Sequence, residues 1–180
     1  LNFGANYQGA ADGYVYVYSQ DGPDAYGPRD SAVLARVPKE RIWEKEAYEY
    51  FVRRDGQGAP IWTAKVSERG TVFEHHARTE RLDAVYSAVL KRYLLTVGYG
   101  HGRGWGMYEA PQPWGPWATA FTTEDWGLGV THGYRLPAKW MSADGRSCWL
   151  LFSGLKPYDA FCVRKMTLDV YPALSGATQN

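Results

Sequence analysis

The sequence predicts an all-β chain built of four-stranded antiparallel blades of the β-propeller type, interrupted by one short helical insertion. Three observations carry this. A tight turn followed by a short aromatic and aliphatic strand recurs as ADGYVYVYS from Ala11, LKRYLLTVG from Leu90 and, with a small insertion, ADGRSCWLLFSG from Ala143. Such repetition at intervals of tens of residues marks blades, hairpin arrays or solenoids. Four strand candidates then follow one another between Leu82 and Thr123, about 40 residues and the length of one blade. Finally, only Lys39 to Arg54 carries helical periodicity, so helices and strands do not alternate as they do in α/β chains.

Tyr14 to Ser19 is a run of β-branched and aromatic residues between Asp12-Gly13 and Gln20-Asp21-Gly22-Pro23, which predicts a strand between turns. Ser31 to Pro38 reads as its partner, and the polar loop between them, with Asp24, Tyr26, Arg29 and Asp30, is open to ligand contacts. Ile42, Trp43, Ala47, Tyr48 and Phe51 recur at helical spacing after Pro38 and before Asp55-Gly56, which predicts a helix over 39–54. The second unit opens near Leu82 and continues through strands at Tyr93–Tyr99, Gly106–Ala110 and Ala118–Thr123. The last opens near Tyr134, turns at Asp144-Gly145 and supplies strands at Trp149–Ser153 and Ala160–Leu168. Residues 1–170 therefore read as one propeller-like domain and 171–180 as a flexible tail. A blade cannot bury both faces alone, so this count suits the carboxy-terminal portion of a propeller; a β-sandwich of face-to-face meanders is the alternative. The start at Leu1, without an initiator methionine or a basic-then-apolar leader, reads as a processed form or a fragment.

A net charge of +1, from 20 basic and 19 acidic residues, gives no footprint for nucleic acid. No apolar run reaches the roughly 18 to 20 residues of a membrane-spanning helix. Aromatics are 16% of the chain, with 8 Trp and 14 Tyr, more than a small core needs, which points to flat rings kept for ligand contacts. Cys148 and Cys162 fall on neighbouring strand candidates; the favoured reading is two thiols used as small hydrophobes, with a disulfide as the less favoured one.

The segments NFGANYQGAADGYVYVYSQD from Asn2, SAVLARVPKERI from Ser31, LKRYLLTV from Leu90, MYEAPQPWGPW from Met107 and KWMSADGRSCWLLFSG from Lys139 together resemble a bacterial family of five-bladed propellers. That family was first catalogued as domain of unknown function 4185 and is related in architecture to glycoside hydrolase family 43. The likeness runs from about Asn2 to Leu168 and implies about three of the five blades, the amino-terminal ones lying outside this chain. It implies a glycosidase acting on arabinan-like polysaccharide of a bacterial or plant source, and a secreted or cell-envelope-associated protein. The runner-up functions are a non-catalytic glycan-binding propeller and an incomplete fragment serving as scaffold.

Glycoside hydrolysis needs two carboxyl groups flanking the sugar. Asp83, on the presumed inner strand of the second unit, is the leading candidate, with Arg81 and Tyr86 close enough in sequence to hold it ionised or to orient a sugar hydroxyl. A strand-end acid paired with arginine is the plainer reading. Asp12 precedes Gly13 and is weighed between catalysis and turn formation, and Asp144 is assigned to its turn. Glu109, before PQPWGPW, is kept as a third candidate although outer strands stand away from a central pocket. Arg135 and Lys139 could bind a sugar hydroxyl or carboxylate, or stand as ordinary exposed cations. Of the loop aromatics, Trp105, Trp126 and Tyr134 are candidate sugar platforms, while Trp114 and Trp117 staple PWGPW to the blade. No cofactor is expected. A structural or pocket ion such as calcium remains compatible with the sequence, with His132 as its one candidate ligand; His75 and His76 diverge as neighbours on a strand, and His101 stands alone. GHGRGWG precedes a strand rather than a helix, so it is not a phosphate cradle.

Overall fold

The computed structural model describes residues 12–23, 27, 29–100, 102–155, 157 and 159–171. The predicted loop residues Asp24 and Tyr26, His101, and 172–180 of the tail lie outside them. Among the described residues, eleven antiparallel strands form three successive meanders: β1 (Tyr14–Gln20), β2 (Arg29–Pro38), β3 (Glu49–Arg54) and β4 (Pro60–Thr63); β5 (Phe73–Ser87), β6 (Arg92–Gly98), β7 (Trp105–Ala110) and β8 (Ala118–Thr123); and β9 (His132–Arg135), β10 (Ser147–Ser153) and β11 (Phe161–Thr167). The chain is all-β. The first two meanders share one hydrogen-bonded sheet, because the amino-terminal half of β5 pairs with β2 while its carboxy-terminal half pairs with β6.

The predicted helix over Lys39 to Arg54 is not formed. Single 3-10 turns at Lys39–Arg41 and Lys45–Ala47 lead into β3, which pairs with β2 at Ala35↔Tyr50 and with β4 at Phe51↔Trp62. Of the apolar stripe that suggested a helix, Trp43 is 75% exposed and only Phe51 is buried, so no continuous face seeks a core. Tyr48, Tyr50, Phe51 and Val52 are strand formers, and cross-strand pairing on both sides outweighs a weak periodicity.

Period-two alternation sorts the core into two layers. Tyr16, Leu34 and Phe51 from the first meander meet Ala84, Leu95, Val97 and Tyr108 from the second. On the opposite face of that second meander, Val85, Leu94, Trp105 and Met107 meet Tyr134, Cys148, Leu150 and Phe152 from the third. The middle meander is thus buried on both sides and joins the other two. Both cysteines are free: Cys148 lies opposite Met166 and Cys162 opposite Phe152. Four residues of register separate them, about 13 Å along a strand and beyond the roughly 7 Å that a disulfide spans.

Candidate functional site

The functional geometry begins with an irregularity in β5. Ala77 and Arg81 take positive φ, 53° and 50°, within a strand that otherwise stays extended. Around Arg81 the ladder slips: Glu80 pairs with Gly98, yet Asp83 pairs with Thr96, so three steps on β5 match two on β6. This is a bulge with one extra residue. In an unbroken strand Glu80 and Asp83, an odd number apart, would leave on opposite faces. The bulge instead puts both on the face that carries Thr96 and Gly98. That face packs against β9: Thr96 Oγ1 donates to the Tyr134 carbonyl at 2.7 Å, and a Cβ on Gly98 would lie 3.4 Å from the Tyr134 ring.

Each carboxylate has its own guanidinium. The Glu80 side chain is 15% exposed, with Arg81 Nε at 3.2 Å from its Oε1. Asp83 is 23% exposed, with Arg135 Nη1 at 3.5 Å, and the same Arg135 nitrogen donates to the Leu82 carbonyl at 2.9 Å. Burial pushes the Asp83 carboxyl above the usual carboxylate range, while Arg135 and the Leu136 and Ala84 amides pull it back only in part. Glu80 and Arg81 line a cleft of about 210 Å³ between the second and third meanders, with Tyr99, Val130, His132 and Tyr134 among the other walls. Two acids on one face of a strand, both partly desolvated and one of them lining a cleft, can divide the work of proton donor and base.

A family model for a domain of unknown function, DUF4185, matches residues 2–164. The chain belongs to the DUF4185 family. None of the curated proteins compared with it matches.

Within this DUF4185 domain the other sequence candidates scatter. Tyr86 points to the opposite face from Asp83, paired with Tyr93 at 4.8 Å between ring centroids, so it cannot orient that acid. Asp12 serves its turn, accepting from the Tyr14 amide at 2.9 Å and from Tyr16 Oη at 2.7 Å. Asp144 does likewise with the Arg146 amide at 3.0 Å. Glu109 lies two strands from β5, beside Arg92 at 3.9 Å, near the end of the sheet remote from Glu80. Lys139 is exposed in a 3-10 turn after β9. Trp105 and Tyr134, expected in loops, instead begin β7 and lie within β9, where they stack at 5.4 Å and are 3% and 0% exposed. Trp126 is half-buried, its Nε1 donating to Thr131 Oγ1 at 3.0 Å and its ring against Phe152. Aromatic rings here are chiefly mortar between sheets. Trp114 and Trp117 pack on the first core as expected of staples, Trp117 against Tyr18.

His132 holds Ser153 Oγ at 2.8 Å and Asp159 Oδ1 at 2.7 Å, both on Nε2. A nucleophile relay needs serine and carboxylate on opposite ring nitrogens, so this cluster is not one. Among the described residues no three His, Cys, Asp or Glu converge as a metal site. Glu80 is the site residue that sequence reasoning missed: spacing from Asp83 places it on the wrong face unless the bulge is known, and nothing local in TERLDA announces one.

Proposed function

We propose that this DUF4185 domain is a glycoside hydrolase acting on an arabinan-like polysaccharide outside the cell or in its envelope, with its meanders arranged as blades of a β-propeller. One observation carries the reading: the Arg81 bulge brings Asp83 to the same face as Glu80, which lines the cleft. Asp83, whose carboxyl burial pushes above the usual carboxylate range, donates its proton to the departing glycosidic oxygen. Glu80, with Arg81 Nε at 3.2 Å, acts on the other side of the anomeric carbon, as nucleophile or by taking a proton from water. The stacking of meanders in chain order, with a core at each junction, suits blades.

Reducing-end release from a panel of neutral plant and bacterial polysaccharides tests the proposal. Hydrolysis that falls about 100-fold or more in both Glu80→Gln and Asp83→Asn supports it. Turnover unchanged in both variants would reject the site, and no release from any glycan would reject the class. A second reading, glycan binding without turnover, is favoured by the engagement of each carboxylate with an arginine. It predicts saturable retention on the same polymer with no release.

A further inference from the structure

The cleft that Glu80 lines is closed at both ends. Its floor is the face of β5 and β6 on which Glu80 pairs with Gly98, and its wall is the segment that enters and forms β9. At one end the β6–β7 turn is stitched to that wall: the Thr131 amide donates to the Gly102 carbonyl at 2.6 Å, and a Cβ on Gly102 would lie 2.8 Å from Val130 Cγ1. At the other end β9 lies down on β6, where Thr96 Oγ1 donates to the Tyr134 carbonyl at 2.7 Å and the Tyr134 ring lies against Gly98. His132 and Gly133 line the gap between these two contacts. Thr131 and Tyr134 are both buried and their hydroxyls meet at 2.9 Å, so each end is held by buried contacts. Among the described lining residues Val130 alone is exposed, at 47%, and it marks the rim.

Closed in this way, the cleft is a pocket rather than a groove. Its volume, about 210 Å³, falls below the roughly 300 to 1,000 Å³ of sites that enclose drug-sized ligands, which leaves room for one sugar ring and not for a run of them. A polymer cannot thread past the Gly102–Thr131 and Gly98–Tyr134 contacts, so only a chain end can enter. The charge is balanced as well. Glu80 and Arg81, the one acid and the one guanidinium among the described lining residues, lie 3.2 Å apart, and His132 on the facing wall has Asp159 Oδ1 at 2.7 Å from its Nε2. A carboxylate on the sugar would meet Glu80 as a like charge and find Arg81 already engaged, whereas sugar hydroxyls can donate to the one and accept from the other.

We infer that the pocket takes the non-reducing terminal residue of a neutral glycan, so that hydrolysis removes single sugars from chain ends. The inference rests on the glycosidase reading of Glu80 and adds which residue of the polymer enters. The anomeric carbon on which Glu80 acts belongs to the enclosed sugar; the rest of the chain leaves from that carbon across the rim, and the closed side holds a free end. Water cleaves the bond between them, its hydroxyl joining the anomeric carbon while the departing oxygen keeps a proton.

Two measurements on the intact chain test this. Chromatography of an early arabinan digest should show monosaccharide as the product from the start, and a substrate bearing a bulky ether cap at its non-reducing ends should be cut at least about tenfold more slowly. Early release of mixed oligosaccharides, or equal rates on capped and open chains, would overturn the chain-end assignment and leave hydrolysis by Glu80 and Asp83 standing. Calorimetric titration of Asp83→Asn, which keeps Glu80 and Arg81, should give arabinobiose and longer arabino-oligosaccharides affinities within about threefold of one another. Affinity that climbs with each added residue would show a groove. The same oligosaccharide oxidised to a carboxylate at its terminal C5 should bind Asp83→Asn at least about tenfold more weakly, and adding Glu80→Gln should narrow that difference by removing the like charge. Equal binding of the neutral and oxidised sugars, or no binding of any sugar, overturns the inference. End-limited binding by Asp83→Asn together with no release by the parent would keep the pocket assignment and reject the hydrolase.

Discussion

Arg135 Nη1 lies 3.5 Å from Asp83 Oδ1 and 2.9 Å from the Leu82 carbonyl oxygen, so one guanidinium from the third meander grips both the backbone and the acid of the second. That contact crosses the junction between sheets, and it does not fully offset the cost of burying the Asp83 charge.

A carboxyl whose folded pKa is raised binds its proton more tightly folded than unfolded. Its contribution to stability is therefore full below the unfolded value of about 3.9 and is lost as pH rises through the raised folded value. Asp83→Asn, which keeps the shape and cannot ionise, should gain in melting temperature relative to the parent as pH goes from about 3.5 to 7. Thermal melts across that range check the sign, and a difference that stays flat or shrinks contradicts it.

Thr96 is 1% exposed and its hydroxyl joins β6 to β9 through the Tyr134 carbonyl. Thr96→Val keeps the volume and strands that carbonyl, which should cost about 1 to 3 kcal/mol in urea denaturation. A loss below about 0.5 kcal/mol would mean the contact contributes little to holding the meanders together.

Gly106 on β7 makes room for two hydroxyls: an added Cβ would sit 2.7 Å from Tyr99 Oη and 2.9 Å from Tyr108 Oη. Those hydroxyls are 3.3 Å apart, and Tyr108 Oη also meets His75 Nδ1 at 2.8 Å. Gly106→Ala should destabilise by about 1 to 3 kcal/mol through overpacking. Adding Tyr108→Phe to the Gly106→Ala variant should recover part of that loss; additive destabilisation would argue against the hydroxyls as the point of conflict.

Cys148 is 1% exposed and burial raises its thiol above the usual range, whereas Cys162 is half-buried. Native alkylation followed by mass spectrometry should label Cys162 first and Cys148 only on unfolding. Recovery of two free thiols from protein denatured without reductant would agree with their four-residue offset, and a single disulfide-linked peptide would refute it.

The strands were legible wherever composition and pairing agree. Ala118–Thr123 forms β8 over the residues predicted, and Tyr93–Tyr99 and Trp149–Ser153 fall within a residue or two of β6 and β10. Asp12 and Asp144 were legible as turn residues because their hydrogen bonds run to amides two positions along the chain. Trp105 and Tyr134 were not legible as core, since a tryptophan beside glycines suggests a loop until its partners from another meander are in place.

By itself the sequence determined the all-β character, the succession of turn and strand units and the use of two acids in turns, because those depend on residues close along the chain. Tertiary structure decided the rest. Whether Glu49–Arg54 became strand or helix was settled by β2 and β4 on either side, and whether Glu80 and Asp83 faced together was settled by one extra residue against β6. A bulge is a mismatch between two strands, and neither strand records it alone.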